Sequence, residues 1–266
     1  MLFDLFGGKR KRRQRLFRGE TAADWPGILG RYVPVYSRLD PADRRELEGH
    51  ARVFLAEKSF EGTRDLAVDD VMRLAVAGNA CLLLMHRPTD YFPTVRSILL
   101  RPDEFTATSN QPLWGVTGGM SLVEEEDRIG EAGADGLIML AWDEIEALAE
   151  GYDDAVNVVI HEFAHELDRE DGAVNGVPLL HDRAQAADWE RVCSAEFERL
   201  RKGRPERGAL DIYGAEDPGE FFAVATEAFF ANPVRLSNRH PALYDQLRRF
   251  YRLDMAEIAG RPGLPD

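Results

Sequence analysis

Apolar residues recur at helical spacing through the first third of the chain. From Trp25 to about Met85 the pattern reads as helix. Asp40-Pro41 stands as N-cap and first helical residue ahead of Arg44, Leu47, Ala51, Phe54 and Leu55. Asp69-Asp70 opens another helix through Met72, Leu74, Ala75 and Ala80. Between Cys81 and Trp142 the texture changes to short apolar runs separated by Gly, Pro, Asp and Asn. Cys81 to Met85, Thr94 to Leu100, Glu104 to Thr108, Leu113 to Thr117 and Leu137 to Trp142 are expected strands of a small mixed or antiparallel sheet. Helices return after Asp143, over 143–150, 153–169, 182–202, 217–231 and 241–253, with loops at 171–181 and 203–216. No repeat of fixed period is present. The fold class is α+β: helices, then a sheet, then helices.

Length and composition fit one compact domain. The chain has 266 residues, 44% hydrophobic and 30% charged, enough to build a core. We read 21–266 as a single domain, with a helical part at 21–80, the sheet at 81–142 and a helical part at 143–266. Residues 1–20 carry seven basic side chains against Asp4 and Glu20, a net +5 that leaves −19 on the rest of the −14 chain. The simplest expectation for this segment is a solvated, disordered arm. The sharper one is contact with an acidic partner or membrane surface, with Leu2, Phe3, Leu5 and Phe6 as apolar anchors. The acidic body repels phosphate backbones, so direct nucleic-acid binding is not expected. Cys81 and Cys193 show no zinc-finger spacing and suit a reducing compartment. The apolar stretch from Leu74 to Met85 is broken by Gly78-Asn79 and cannot span a bilayer. The start of the chain lacks a signal-peptide core. A soluble cytoplasmic protein is the expectation.

One segment carries chemistry. Val158-Val159-Ile160-His161-Glu162-Phe163-Ala164-His165-Glu166-Leu167-Asp168 contains His-Glu-x-x-His. On a helix, positions i and i+4 lie about 40° apart and one turn along, so both imidazoles share a face. Two neutral imidazoles so placed can hold one Zn²⁺. Glu162 sits beside the ligand line, where a carboxylate can take a proton from metal-bound water instead of binding the ion. The surrounding helix is apolar nearly all round and therefore buried. Two His and a Glu inside it need partners, and a metal supplies one to all three. Two hydrogen-bonded core histidines are the plainer alternative. Asp168 reads either as part of a solvated acidic helix end or as a carboxylate orienting a neighbour of the site.

A hydrolytic zinc site takes a third protein ligand. The stretch from Tyr213 to Phe230 holds Glu220 and Glu227, seven apart and on one helical face. Asp217-Pro218-Gly219-Glu220 also reads as a capping box, which would turn Glu220 back to the backbone and leave Glu227 as ligand. His181 and His240 are weaker choices, in a loop and before Pro241. Tyr213 is either a packing aromatic or a hydrogen-bond donor to a developing oxyanion.

The run His161 to Asp168, Tyr213 with Glu220 seven residues on, and Glu220-Phe221-Phe222-Ala223 resemble the Mlc titration factor A family. That family comprises bacterial zinc-dependent peptidases, also called anti-repressors of the glucose repressor. The Tyr-to-Glu spacing and the Glu-Phe-Phe-Ala run are also similar to the catalytic core of anthrax lethal factor. The layout matches over most of the chain, including Trp25 with Ile28-Leu29, Phe54 to Lys58 and Cys81 to Leu84. The resemblance implies a zincin-like metallopeptidase core. It implies His161, His165 and Glu220 as zinc ligands, Glu162 as base and Tyr213 beside the substrate carbonyl. Glu227 then stands behind a ligand histidine. It further implies aminopeptidase-like action on short peptides and a link to control of sugar-uptake genes through a transcriptional repressor. The residues themselves leave exo- and endopeptidase action open. The longer basic start and the acidic C-terminal helices depart from the family pattern and set inheritance of that repressor partner in question. The rival reading is a weakly catalytic or non-catalytic protein that sequesters a repressor.

Overall fold

The computed structural model describes residues 3–102, 136–151, 156–180, 182–203 and 209–263. The strands expected at Glu104 to Thr108 and Leu113 to Thr117, and His181, lie outside the described residues.

The basic start, expected as a free arm, is helical. Helix α1 spans Phe3–Phe17 and packs along α3, Pro41–Glu57. Arg13 forks onto Glu57, with Nε to Oε1 at 2.8 Å and NH2 to Oε2 at 2.7 Å, and it also pairs with Asp90. Phe17 covers Gly49, where a Cβ would come within 2.9 Å of the ring. The docking stripe is Arg13, Leu16 and Phe17, too narrow to stand out in a run of cations. The carboxylates that answer Arg13 lie 44 and 77 residues away.

Helices α2, Trp25–Tyr32, and α4, Asp70–Leu82, complete the N-terminal part. Asp40 caps α3 through the Ala42 and Asp43 N–H groups, and Asp69 caps α4 through Met72. The expected strand from Cys81 to Met85 is instead the end of α4 and the turn after it, all buried. A short apolar run bounded by turn residues has no periodicity to separate strand from buried helix.

The three strands among the described residues are β1, Ser59–Gly62, β2, Ser97–Arg101, and β3, Leu137–Ala141. They form one sheet in the order β1-β2-β3, and both pairs are parallel, not antiparallel or mixed. β1 lay hidden inside the helical reading, and with it the α4 crossover that a parallel β1–β2 pair requires. Gly136 opens β3 at φ +93°, its carbonyl accepting the Arg96 and Ser97 N–H groups. A Cβ there would lie 2.5 Å from the Thr94 oxygen.

The C-terminal helices fall close to expectation: α5, Trp142–Glu150, α6, Val158–Asp168, α7, Arg183–Lys202, and α8, Pro218–Ala231. They are followed by α9, Pro233–Arg239, α10, Pro241–Tyr251, and α11, Met255–Ala259. Helix α6 begins at 158 because Asn157 caps it, Oδ1 accepting the Ile160 N–H at 3.1 Å. Helices α6 and α8 pack side by side in the core. Phe163 on α6 meets Phe54 and Phe92, and Phe222 on α8 meets Trp189 and Phe250, with rings edge to face. No helix among the described residues is long and apolar enough to cross a membrane.

Candidate metal centre

Two helices build the site. His161 and His165 project from one face of α6, both buried, with Nε2 atoms 3.3 Å apart. Glu220, in the first turn of α8, places Oε2 at 3.2 Å from His161 Nε2 and 3.4 Å from His165 Nε2. The capping question is answered locally. Asp217 caps α8 with its own carboxylate, taking the Gly219 and Glu220 N–H groups at 2.7 and 3.0 Å. The Glu220 side chain turns to the imidazoles instead.

The triangle couples one carboxylate to two imidazoles. Burial alone would raise the Glu220 carboxyl, but the two imidazoles outweigh it and bring it to about 2. Burial disfavours protonation of His161, yet Glu220 and Glu227 raise its imidazole to about 10. Buried Glu220 Oε2 has no aligned hydrogen-bond donor among the described residues. A cation would relieve this. Four ligands held tetrahedrally at about 2.0–2.1 Å have neighbours about 3.3–3.4 Å apart, matching the observed edges. Two imidazoles and one carboxylate are a donor set that suits such an ion. The residues therefore fit a metal.

Around the triangle stand the other residues singled out in the sequence. Glu162 is half-buried and not one of the three converging donors. Burial raises its carboxyl, while His161 and His165 pull the other way. Tyr213 sits in a 3-10 turn, Ile212–Ala215, capped by Asp211. Its ring centroid is 6.1 Å from that of His161, and its buried hydroxyl has no hydrogen-bond partner among the described residues. Burial and the charge of Glu220 raise the phenol above its ordinary pKa. Glu227, two turns beyond Glu220, places Oε2 at 3.8 Å from His161 Nδ1.

Asp168 is not solvated, and it is not one of the three converging donors. It is fully buried, and Oδ2 accepts the Gly176 N–H at 2.8 Å. Gly176 in turn gives its carbonyl to Trp189 Nε1 at 3.0 Å. It also lies so close to α8 that a Cβ would be 2.2 Å from the Pro218 oxygen. Asp168 thereby straps the segment after α6 across the start of the helix that carries Glu220. His240 stands apart, its Nδ1 2.8 Å from Glu196.

Asn157 and Asn79 were not foreseen. Besides capping α6, Asn157 gives its backbone N–H to Glu227 Oε1 at 3.3 Å and its amide to Asn79 Oδ1 at 2.8 Å. Asn79 gives its own amide to the Tyr32 and Ala75 carbonyls. Asn157 directly before the apolar run was a readable N-cap signal; the role of Asn79 had none. A second group of His and carboxylates, Asp43, Glu46 and His86, is internally paired, with His86 at 2.8 Å from Asp43 and 3.3 Å from Glu46.

An α+β scaffold carrying His-Glu-x-x-His on one buried helix and a carboxylate on its neighbour defines a metallopeptidase class of protein. The chain matches the family of glucose-regulated metallopeptidases M90 over residues 8–252, and it belongs to that family. It is 37% identical over 248 residues to the uncharacterized protein slr2042 of Synechocystis sp., covering 91% of this chain and 88% of that one. It is 31% identical over 242 residues to Mlc titration factor A of Serratia proteamaculans, covering 88% of each chain. Against Mlc titration factor A of Klebsiella pneumoniae the identity is 28% over 254 residues, covering 93% and 92%.

Proposed function

We propose that this chain is a zinc-dependent peptidase with His161, His165 and Glu220 as metal ligands. The observation that carries the reading is the triangle of Nε2, Nε2 and Oε2 atoms at 3.2–3.4 Å. A zinc ion held there would supply Lewis acidity and an activated water. Glu162 is the proton carrier: it accepts a proton from the attacking water and returns it to the leaving amine. The Tyr213 hydroxyl, without a hydrogen-bond partner among the described residues, donates to the oxyanion that develops on the substrate carbonyl. Glu227 orients His161 through Nδ1, and Asp168 acts further out, positioning α8 through its strap. β3, at an edge of the described sheet and packed against α6, is the strand beside which an extended peptide adds. Substrates are short peptides, cleaved in an aminopeptidase-like manner, in the cytoplasm.

A second property rests on the name of the relatives, Mlc titration factor A. It supports association with a transcriptional repressor, and through it with sugar-uptake gene control. A binder that merely sequesters such a repressor would need no turnover. Metal analysis with an amino-acid anilide panel, comparing wild type and Glu162→Gln, separates the two. Zinc bound by both and hydrolysis by wild type alone supports the peptidase. Absence of hydrolysis in both, with repressor binding intact, overturns it.

A further inference from the structure

A cavity of about 360 Å³ lies between the turn after α4, the segment leading into α7, and the end of α10. Its charged lining is Arg87, Arg249, Arg252 and Asp182. Asp182 is engaged as the N-cap of α7, accepting the Ala184 N–H at 2.8 Å. Arg249 is held by Asp245 at 2.6 Å and lies 4.0 Å from Asp188. Arg87 and Arg252 are different. Neither forms an ion pair with any carboxylate among the described residues. Among the described residues Arg87 donates only to the Leu83 carbonyl at 3.2 Å, and its guanidinium lies over the Phe250 ring at 3.8 Å from the centroid. Arg252 donates to the His86 carbonyl at 3.3 Å from a left-handed backbone, φ +55°, that aims it back at the same turn.

Arg87 is half-buried, and such a guanidinium is costly to leave without a counter-charge, while Arg252 reaches the same cavity from an exposed position. Burial draws the Arg87 pKa down. The Glu170 carboxylate opposes that shift, and Arg252 adds to it. Phe250 is buried and fixes the plane of Arg87, so the guanidinium fork is pre-oriented. Two forked cations converging on one concavity are suited to the planar or tetrahedral oxygens of a carboxylate or phosphate.

We propose that this cavity binds a small metabolite bearing a carboxylate or phosphate group, held by Arg87 and Arg252. Leu179 and Leu180, which line the same cavity, continue the segment that Asp168 straps through Gly176. A bound oxyanion would staple that segment to the turn at 87–88.

The test uses the full chain at constant ionic strength, titrated with inorganic phosphate in one arm and succinate in the other, against chloride. Binding is followed by calorimetry and by hydrogen exchange of residues 177–182. At least one anion should bind and slow exchange there, and the arm that responds names the class. Arg252→Gln, an exposed change, should weaken that binding at least about tenfold. Arg87→Lys should weaken it as well, since the charge is kept and the fork lost. Failure of both anions to bind overturns the proposal, as does binding left intact in Arg252→Gln. Neither readout depends on peptidase turnover.

Discussion

Glu227 and His161 face each other across 3.8 Å, the carboxylate set against the imidazole nitrogen that does not point into the triangle. The other Glu227 oxygen takes the Asn157 N–H that starts the same helix. The carboxylate is thus held from behind while it holds the imidazole in turn. Glu227→Gln should keep the fold and lower zinc affinity about 10–100-fold, the usual effect of removing the acceptor behind a ligand histidine. Competition with a calibrated chelator measures this. Unchanged affinity would make Glu227 a packing residue.

Glu162→Gln should keep near-stoichiometric metal and lose at least about 10²-fold in kcat, the scale of general-base catalysis. Tyr213→Phe should leave metal and KM nearly alone and cost roughly 10–10³-fold in kcat. Metal loss in the first variant, or full kcat in the second, would show the roles to be misassigned.

Asp168→Asn would replace a buried charge-assisted acceptor of the Gly176 N–H with a neutral one. We expect a loss of roughly 1–3 kcal/mol in chemical denaturation and faster proteolysis between residues 172 and 180. A variant that matches wild type in both would remove the strap from the account.

Lys58 is buried and donates to the Phe92 and Val95 carbonyls, both at 2.7 Å. Burial lowers its ammonium from 10.5 to about 8, Glu57 opposing. Between those values the unfolded chain holds the proton and the folded one does not. Stability from this group therefore rises with pH through that window. Lys58→Met should be less stable at every pH, by roughly 1–3 kcal/mol near neutrality from the two orphaned carbonyls. The gap to wild type should widen from pH 8 to 10. A gap that narrows would mean that the ammonium is not depressed.

Deleting residues 1–18 removes Arg13 from Glu57 and Asp90 and Phe17 from Gly49. The truncated protein should lose about 2–4 kcal/mol, and Arg13→Met alone about 1–3. An unchanged thermal midpoint would restore the picture of a loose arm.

Much of the site was legible because its signals are local. His161 and His165 declare a shared face by their spacing, and Asp217-Pro218 marks where α8 starts, so Glu220 falls in a first turn. The residues by themselves left open which way Glu220 points, and the resemblance favoured the histidines; in the structure Asp217 caps α8 unaided and the Glu220 carboxylate lies against both imidazoles. What was hidden depends on distant partners. β1 is four residues with one apolar side chain, recognisable only once paired with β2. Cys81 to Met85 is greasy enough for either state, and packing alone made it the end of α4. Arg13 looked like one more solvated cation because its carboxylates come from α3 and from the turn at Asp90.

The amides that run from Tyr32 through Asn79 to Asn157 join α2, α4 and the cap of the histidine helix. Melting either end of that ladder strands buried amides at the other, at a cost neither part can bear alone. The early helices and the helices around the triangle should therefore unfold as one cooperative unit. Stripping the ion should shift a single transition downward without splitting it in two.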